Sequence, residues 1–235
     1  VVSKLLVHAL MEVSGLASKV ELGLTPGDEL EIERVEHGTP IARLLSGEAD
    51  WLVFRGESLS VEGKVPKGLL PGSFSPLHQG HRGLVAAAAR LVEAEVGYEL
   101  SVTNVDKPDL EESELLKRMS QFEYDETVVL TRAETFFKKA RMFPGRIFVV
   151  GWDTAIRLVA PRYYGGDISE MMVALAEMLT ARTRFLVAGR EDQGVFKTLA
   201  DISLPEGFAG LFSDITEDQF RENISSTQIR AMQND

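Results

Sequence analysis

The chain has 235 residues, 44% of them hydrophobic, which is enough for one substantial core and an appendage. A formal net charge of −11, with no Lys/Arg cluster long enough to form a basic stripe, argues against extended nucleic acid as a partner. With no cysteine there are no disulfides and no thiolate zinc sites, and no apolar run approaches a membrane span, so a cytoplasmic protein that does not enter the membrane is expected.

The sequence opens at Val1 rather than Met and shows no signal-peptide pattern, so a piece cut from a longer chain is the expectation. Val2, Leu5, Leu6, Ala9, Leu10 and Val13 recur at helical spacing and give residues 1–16 one apolar face that needs something to pack on. Residues 29–36 read equally as strand or helix. Thr39 before Pro40 is a cap followed by a first-turn proline, residues 41–45 continue a short helix, and Gly47 stops it. A strand over 51–54, a turn at Gly56 and Glu57 and a return over 59–61 make a hairpin. None of this carries recognisable chemistry, and residues 1–65 read as a small N-terminal α+β extension to a domain over 66–235.

From Lys67 onward strand and helix patterns alternate. Strands are expected at 68–70, 99–103, 127–130, 146–150, 183–188 and 211–214, with helices at 82–95, 111–122, 133–142, 153–159 and 167–181. That alternation predicts an α/β fold, a doubly wound parallel sheet covered on both faces. In such sheets ligands bind beyond the carboxyl ends of the strands, where the strand order reverses.

The first of those strands runs into GLLPGSFSPLHQGH, residues 68–81. Gly72 lets the chain turn where a side chain would block an approaching phosphate. A helix then starts near 77–80, with free N–H groups and a positive dipole end that favour an anion. His78 and His81, three apart, share a face of that first turn, and Gly80 between them allows close approach. Two imidazoles beside a polyphosphate can donate hydrogen bonds to oxygens that gain charge during transfer.

At these residues the chain resembles the nucleotidylyltransferase superfamily, whose GxFxxxHxGH signature is carried by Gly72, Phe74, His78, Gly80 and His81. The resemblance implies a Rossmann-like HUP nucleotidyltransferase fold, with Gly72, Ser73, Phe74 and Gly80 at the nucleotide and His78 and His81 on its triphosphate. Ser75 stands where many members carry Asp, so no role of that carboxylate is carried over. NISSTQIR near the C-terminus is similar to the superfamily's ISSTxxR element. Ser225, Ser226 and Thr227 offer hydroxyls and N–H groups at a second helix start, and Arg230 one turn later supplies charge for the leaving pyrophosphate.

Three further stretches look like nicotinate and nicotinamide mononucleotide adenylyltransferases. Gly151, Trp152 and Asp153 match their GxD turn: Gly151 would admit the nucleotide, Asp153 would cap the next helix and accept ribose hydroxyls, and Trp152 would either stack on a ring or join the core. Arg190 resembles a nucleotide-side arginine. Lys107, after the second strand, matches a basic residue that reaches the acceptor phosphate, with Arg118 a second candidate. Residues 1–65 look like the tail of a CinA-type domain. The resemblance implies transfer of a nucleoside monophosphate from ATP to a phosphate-bearing acceptor such as a mononucleotide. Mg²⁺ would be held on substrate phosphates, with no metal ligands from the protein. The alternatives are a CTP-dependent enzyme acting on an alcohol phosphate and a non-catalytic nucleotide-binding module. A homo-oligomer and a contact with a preceding domain both stay open.

Overall fold

The computed structural model describes residues 39–103, 108–192 and 194–221, together with Lys4, Val7, Met11, Val20, Glu21 and Gly23. The chain divides into two compact units, Val1–His37 and Gly38–Asp235, and the second contains everything below.

The helix α1 (Pro40–Ser46) is built as its sequence suggests: the Thr39 hydroxyl accepts from the Ala42 N–H, Pro40 sits in the first turn, and Gly47 closes the helix in the left-handed region. Strands β1 (Trp51–Arg55) and β2 (Ser58–Val61) follow as a hairpin. They lie within the stretch read from sequence as an N-terminal extension, yet β1 pairs antiparallel with β5 (Thr127–Thr131) over five residues. The main sheet therefore takes them in.

The alternating segments become β3 (Gly68–Pro71), α2 (Gln79–Val92), β4 (Val96–Ser101), α3 (Glu112–Met119), β5, α4 (Phe136–Met142), β6 (Ile147–Gly151), α5 (Trp152–Leu158), α6 (Ile168–Thr180), β7 (Arg184–Ala188), a short hairpin β8 (Arg190–Asp192) and β9 (Val195–Lys197), and β10 (Phe212–Ile215). Among the described residues eight strands form one sheet in the order β10-β7-β6-β3-β4-β5-β1-β2, with every pairing from β10 to β5 parallel. This is the mostly parallel, Rossmann-like arrangement expected from the alternation. Strand β4 begins at Val96, three residues before the expected start, because Gly97 does not break it. A Cβ on Gly97 would stand 2.7 Å from the Thr127 carbonyl oxygen, so the glycine admits a close neighbouring backbone.

Side chains alternate between two cores. Leu70, Tyr98, Leu100, Leu130 and Val149 face one side with Leu44 of α1, Leu84 and Ala88 of α2, and Leu115 and Met119 of α3. Leu69, Val129, Phe148, Val150, Phe185 and Val187 face the other, with Ala140 of α4, Ala155 of α5, and Met171, Leu175 and Met178 of α6. Apolar residues on both faces of β5, β6 and β7 explain why those strands read as unbroken hydrophobic runs. One ion pair interrupts the second core. Glu99 is 1% and Lys139 5% exposed; Lys139 Nζ lies 2.7 Å from Glu99 Oε1, which also accepts from Thr131 Oγ1. Lys139 donates further to the Ala133 carbonyl, so β4, β5 and α4 are fastened together beneath the strand ends.

The connections fix where a ligand could enter. From β3 the chain winds outward through β4 to β5, then returns to the opposite side of β3 as β6 and winds outward again. The order reverses between β3 and β6. The pairing of these two strands covers only Gly68 with Ile147 and Leu69 with Phe148, whereas β6 and β7 pair over five residues. The ladder between the two strands ends at Leu69, and this reversal point, at their carboxyl ends, is where an open α/β sheet offers a ligand a crevice.

Candidate functional site

One bank of the crevice is the loop from Pro71 to His81. It leaves β3 with the Gly72 N–H donating to the Glu99 carbonyl at 2.9 Å. A Cβ on Gly72 would come within 2.7 Å of the Phe74 ring. The glycine therefore makes room for Phe74, a reason for it that lies within the loop itself. Phe74 has φ 45° and is 1% exposed. That backbone conformation costs about 1–2 kcal/mol for a non-glycine residue, against about 1.5–3 kcal/mol gained by burying the ring, so packing wins. The ring meets His81, Tyr98 and Phe122 edge-on at 5.2, 5.4 and 5.4 Å between centroids.

Residues from the end of α3 brace the loop. The Gln121 side chain accepts from the Leu77 N–H at 2.8 Å and donates to the Phe74 carbonyl at 2.9 Å. Arg118 donates to the Ser73 carbonyl at 3.1 Å and pairs with Glu114 at 2.8 Å. The Ser75–Pro76 peptide bond is cis. Sequence reasoning missed Gln121 altogether. A single glutamine at a helix end, 44 and 47 positions from its partners, leaves no local signal.

The loop delivers both histidines to the start of α2. His78, extended at φ −146°, is the N-cap. His81 accepts from the His78 N–H through Nδ1 at 3.3 Å, and the two rings stack at 3.7 Å with 28° between planes. Burial, followed by the neighbouring His78, lowers the His81 pKa to about 4. His81 is therefore neutral near pH 7, and because Nδ1 is an acceptor the proton sits on Nε2, the donor atom of the ring. Phe74 behind, His78 beside and the backbone below fix its ring.

The other bank is the end of β6. Gly151 is the N-cap of α5 at φ −77°, and a Cβ there would meet no atom within 4 Å. Among the described residues neither strain nor packing calls for a glycine here. Trp152 packs against the second core and keeps a buried Nε1 with no hydrogen-bond partner among the described residues. Asp153 lies in the first turn rather than at the cap, which corrects that expectation. Its carboxylate pairs with Arg190, the first residue of β8. Gly189 permits this by letting the β8–β9 hairpin fold back: a Cβ on it would sit 2.6 Å from the Phe196 ring. The pair is 40% and 48% exposed, so its contribution to stability is no more than about 1 kcal/mol.

Gly151 and Asp153 thus follow the carboxyl end of β6, Arg190 follows that of β7, and the loop after β3 carries His78 and His81 to the start of α2 on the same edge of the sheet, whereas Arg118 lies on the flank of the loop, engaged with Glu114 and Ser73. Lys107, Ser225, Ser226, Thr227 and Arg230 lie outside the described residues. Among the described residues no helix is long and apolar enough to cross a membrane, and no three His, Asp or Glu side chains cluster as a metal site.

A family model described as cytidylyltransferase-like matches residues 69–232. A comparison with curated proteins finds no match.

Proposed function

The chain belongs to the cytidylyltransferase-like family and so is a nucleotidyltransferase-type protein, and on that premise we propose that it transfers a nucleoside monophosphate from ATP to a phosphate-bearing acceptor of the mononucleotide class, releasing pyrophosphate. The observation that carries this reading is the crevice between β3 and β6, with a neutral, immobilised imidazole on one bank and an uncovered glycine turn on the other. An acceptor phosphate oxygen attacks the α-phosphorus of the triphosphate in line, the bond to the bridging oxygen breaks, and pyrophosphate leaves with the electron pair. No covalent intermediate is needed, so the chain's task is positioning and charge stabilisation.

His81 Nε2–H and His78 serve the triphosphate oxygens from the start of α2. Gly151 lets the nucleoside lie against bare backbone, and Asp153 accepts from ribose hydroxyls in exchange for its bond to Arg190. Ser225, Ser226, Thr227 and Arg230 are assigned to the phosphate tail, and Lys107 and Arg118 to the acceptor side, Trp152 having taken the core position. A magnesium ion would supply charge neutralisation while bound to phosphate oxygens. The carboxylate on this rim, Asp153, is engaged by Arg190, which suits a metal that arrives on its substrate. The family match supports placing transfer within residues 66–235, with the preceding hairpin over 51–61 lending edge strands to the same sheet, and the cysteine-free composition suits a reducing, cytoplasmic setting.

The family's description favours a second reading, in which CTP is the donor and an alcohol phosphate the acceptor. Pyrophosphate release measured with ATP and with CTP, each crossed with mononucleotides and alcohol phosphates, separates the two. The expected result is turnover with ATP and a mononucleotide. Turnover with CTP alone overturns the donor assignment, and nucleotide binding without pyrophosphate from any combination reduces the protein to a binding module.

A further inference from the structure

The side chains that hold His81 are themselves held by one short stretch, residues 121–126, between α3 and β5. Gln121 braces the loop over 71–81, and the Phe122 ring packs on Tyr98 at 4.9 Å and on Phe74 at 5.4 Å between centroids. Glu126 closes the stretch. Its carboxylate accepts from Nε and Nη2 of Arg82 at 3.0 and 3.2 Å, from the Tyr98 hydroxyl at 2.7 Å and from the Glu123 N–H at 2.7 Å. The Glu126 side chain is only 14% exposed and Arg82 24%. An exposed ion pair fixes little, whereas a two-pronged, charge-assisted bond away from solvent sets direction as well as distance. Arg82 donates further to the Gln121 carbonyl at 3.0 Å and lies 3.4 Å from the Glu123 carboxylate.

Both side-chain partners of Glu126 lead to the same imidazole. Arg82 follows His81 in the first turn of α2, so tying its guanidinium to a residue 44 positions away anchors the backbone that carries the ring. Tyr98, 2% exposed, meets Phe74 edge-on, and Phe74 meets the His81 ring edge-on. One carboxylate therefore secures both the turn beneath the imidazole and the aromatic wall behind it.

We propose that Glu126 is a positioning residue for His81, acting through Arg82 and Tyr98. The inference rests on the reading in which His81 donates to the triphosphate. A misplacement of about 1 Å far from the chemistry can cost about 10²-fold in rate, and a donor that is loosened rather than displaced loses less, so about tenfold is expected.

Glu126→Gln keeps the volume of the side chain but offers one acceptor oxygen and no charge to the same donors. Tyr98→Phe keeps the ring and removes only its hydroxyl. Each variant is compared with the wild type in pyrophosphate release and in ¹⁵N NMR of the imidazole nitrogens, at a temperature where thermal melts show it folded. Glu126→Gln should lower the turnover number about tenfold with the Michaelis constant for the nucleotide within about twofold, and Tyr98→Phe should lower it about threefold. The wild-type His81 should show a single tautomer with its proton on Nε2, and Glu126→Gln should move its signals towards the average of the two tautomers. A purely structural role would lower the melting temperature and leave both readouts unchanged. Wild-type turnover in Glu126→Gln, or a His81 spectrum like that of the wild type, overturns the proposal. If the wild type releases no pyrophosphate with any donor and acceptor, the transfer reading falls and the imidazole spectrum alone decides the positioning role. Should Glu126→Gln fail to fold, Tyr98→Phe decides by the same two readouts.

Discussion

The two banks of the crevice are built on opposite principles. The loop over 71–81 is held from every side by the Phe74 ring cluster, the Gln121 amide, Arg118 and the stacked imidazoles. The turn over 151–153 is anchored from behind by Trp152 and the ladder to β7, while its front carries a glycine with no described neighbour at its Cβ position and a carboxylate that grips an exposed arginine. A rigid bank suits a group whose direction matters in the transition state, and an open bank suits a ligand that must enter and leave. The two glycines carry the contrast: Gly72 is required by the Phe74 ring, whereas no described residue requires Gly151.

The sharpest way to break this comparison is to remove the ring beneath the rigid bank. Phe74→Ala should cost about 3–5 kcal/mol in chemical denaturation, and a loss below about 1 kcal/mol would show that the loop does not depend on that packing. His81→Ala should lower the turnover number about 10²–10³-fold in a pyrophosphate-release assay, as expected for a lost preorganised donor. A wild-type rate would remove its assigned role.

Protonation probes the same bank by another route. An unfolded imidazole titrates near 6.5 and His81 near 4. Between those values the unfolded chain binds the proton and the folded chain does not, so stability that is intact above about pH 6.5 falls as pH drops towards 4 and levels off below it. The loss approaches about 3 kcal/mol. Denaturation midpoints across that window should lose most of their slope in His81→Gln, and an unchanged slope would trace the effect to other groups.

The two glycine variants sharpen the contrast directly. Gly72→Ala should cost about 1–3 kcal/mol, because its Cβ meets a buried ring that cannot move aside. Gly151→Ala should change stability by less than about 0.5 kcal/mol while raising the Michaelis constant for the nucleotide. Equal losses of stability at the two positions would erase the distinction between the banks.

How much of this was legible in the sequence follows from the range of each interaction. The strands, the helices and the left-handed Gly47 stop were readable because periodicity and caps act within a few residues. The histidine loop was readable as a motif, but the reason for Gly72 was not, since the ring it accommodates could be located only once the loop had folded. Asp153 looked like a cap because an acid after a glycine commonly is one, and a partner 37 positions away took it instead. The β1–β2 hairpin was visible as a hairpin, yet its attachment to β5 depends on a pairing about 75 residues distant. The Glu99–Lys139 pair had no sequence signature, each residue reading as an ordinary surface charge.

The brief ladder between β3 and β6 has a mechanical consequence. Hydrogen bonds elsewhere in the sheet continue for four or five rungs, so the line where backbone cohesion is weakest runs through its middle. The halves on either side of that seam are held in step by side chains packed above and below. Prising them slightly apart would forfeit few backbone bonds, and the molecule can widen its cleft at lower cost there than at any other parallel joint between its strands.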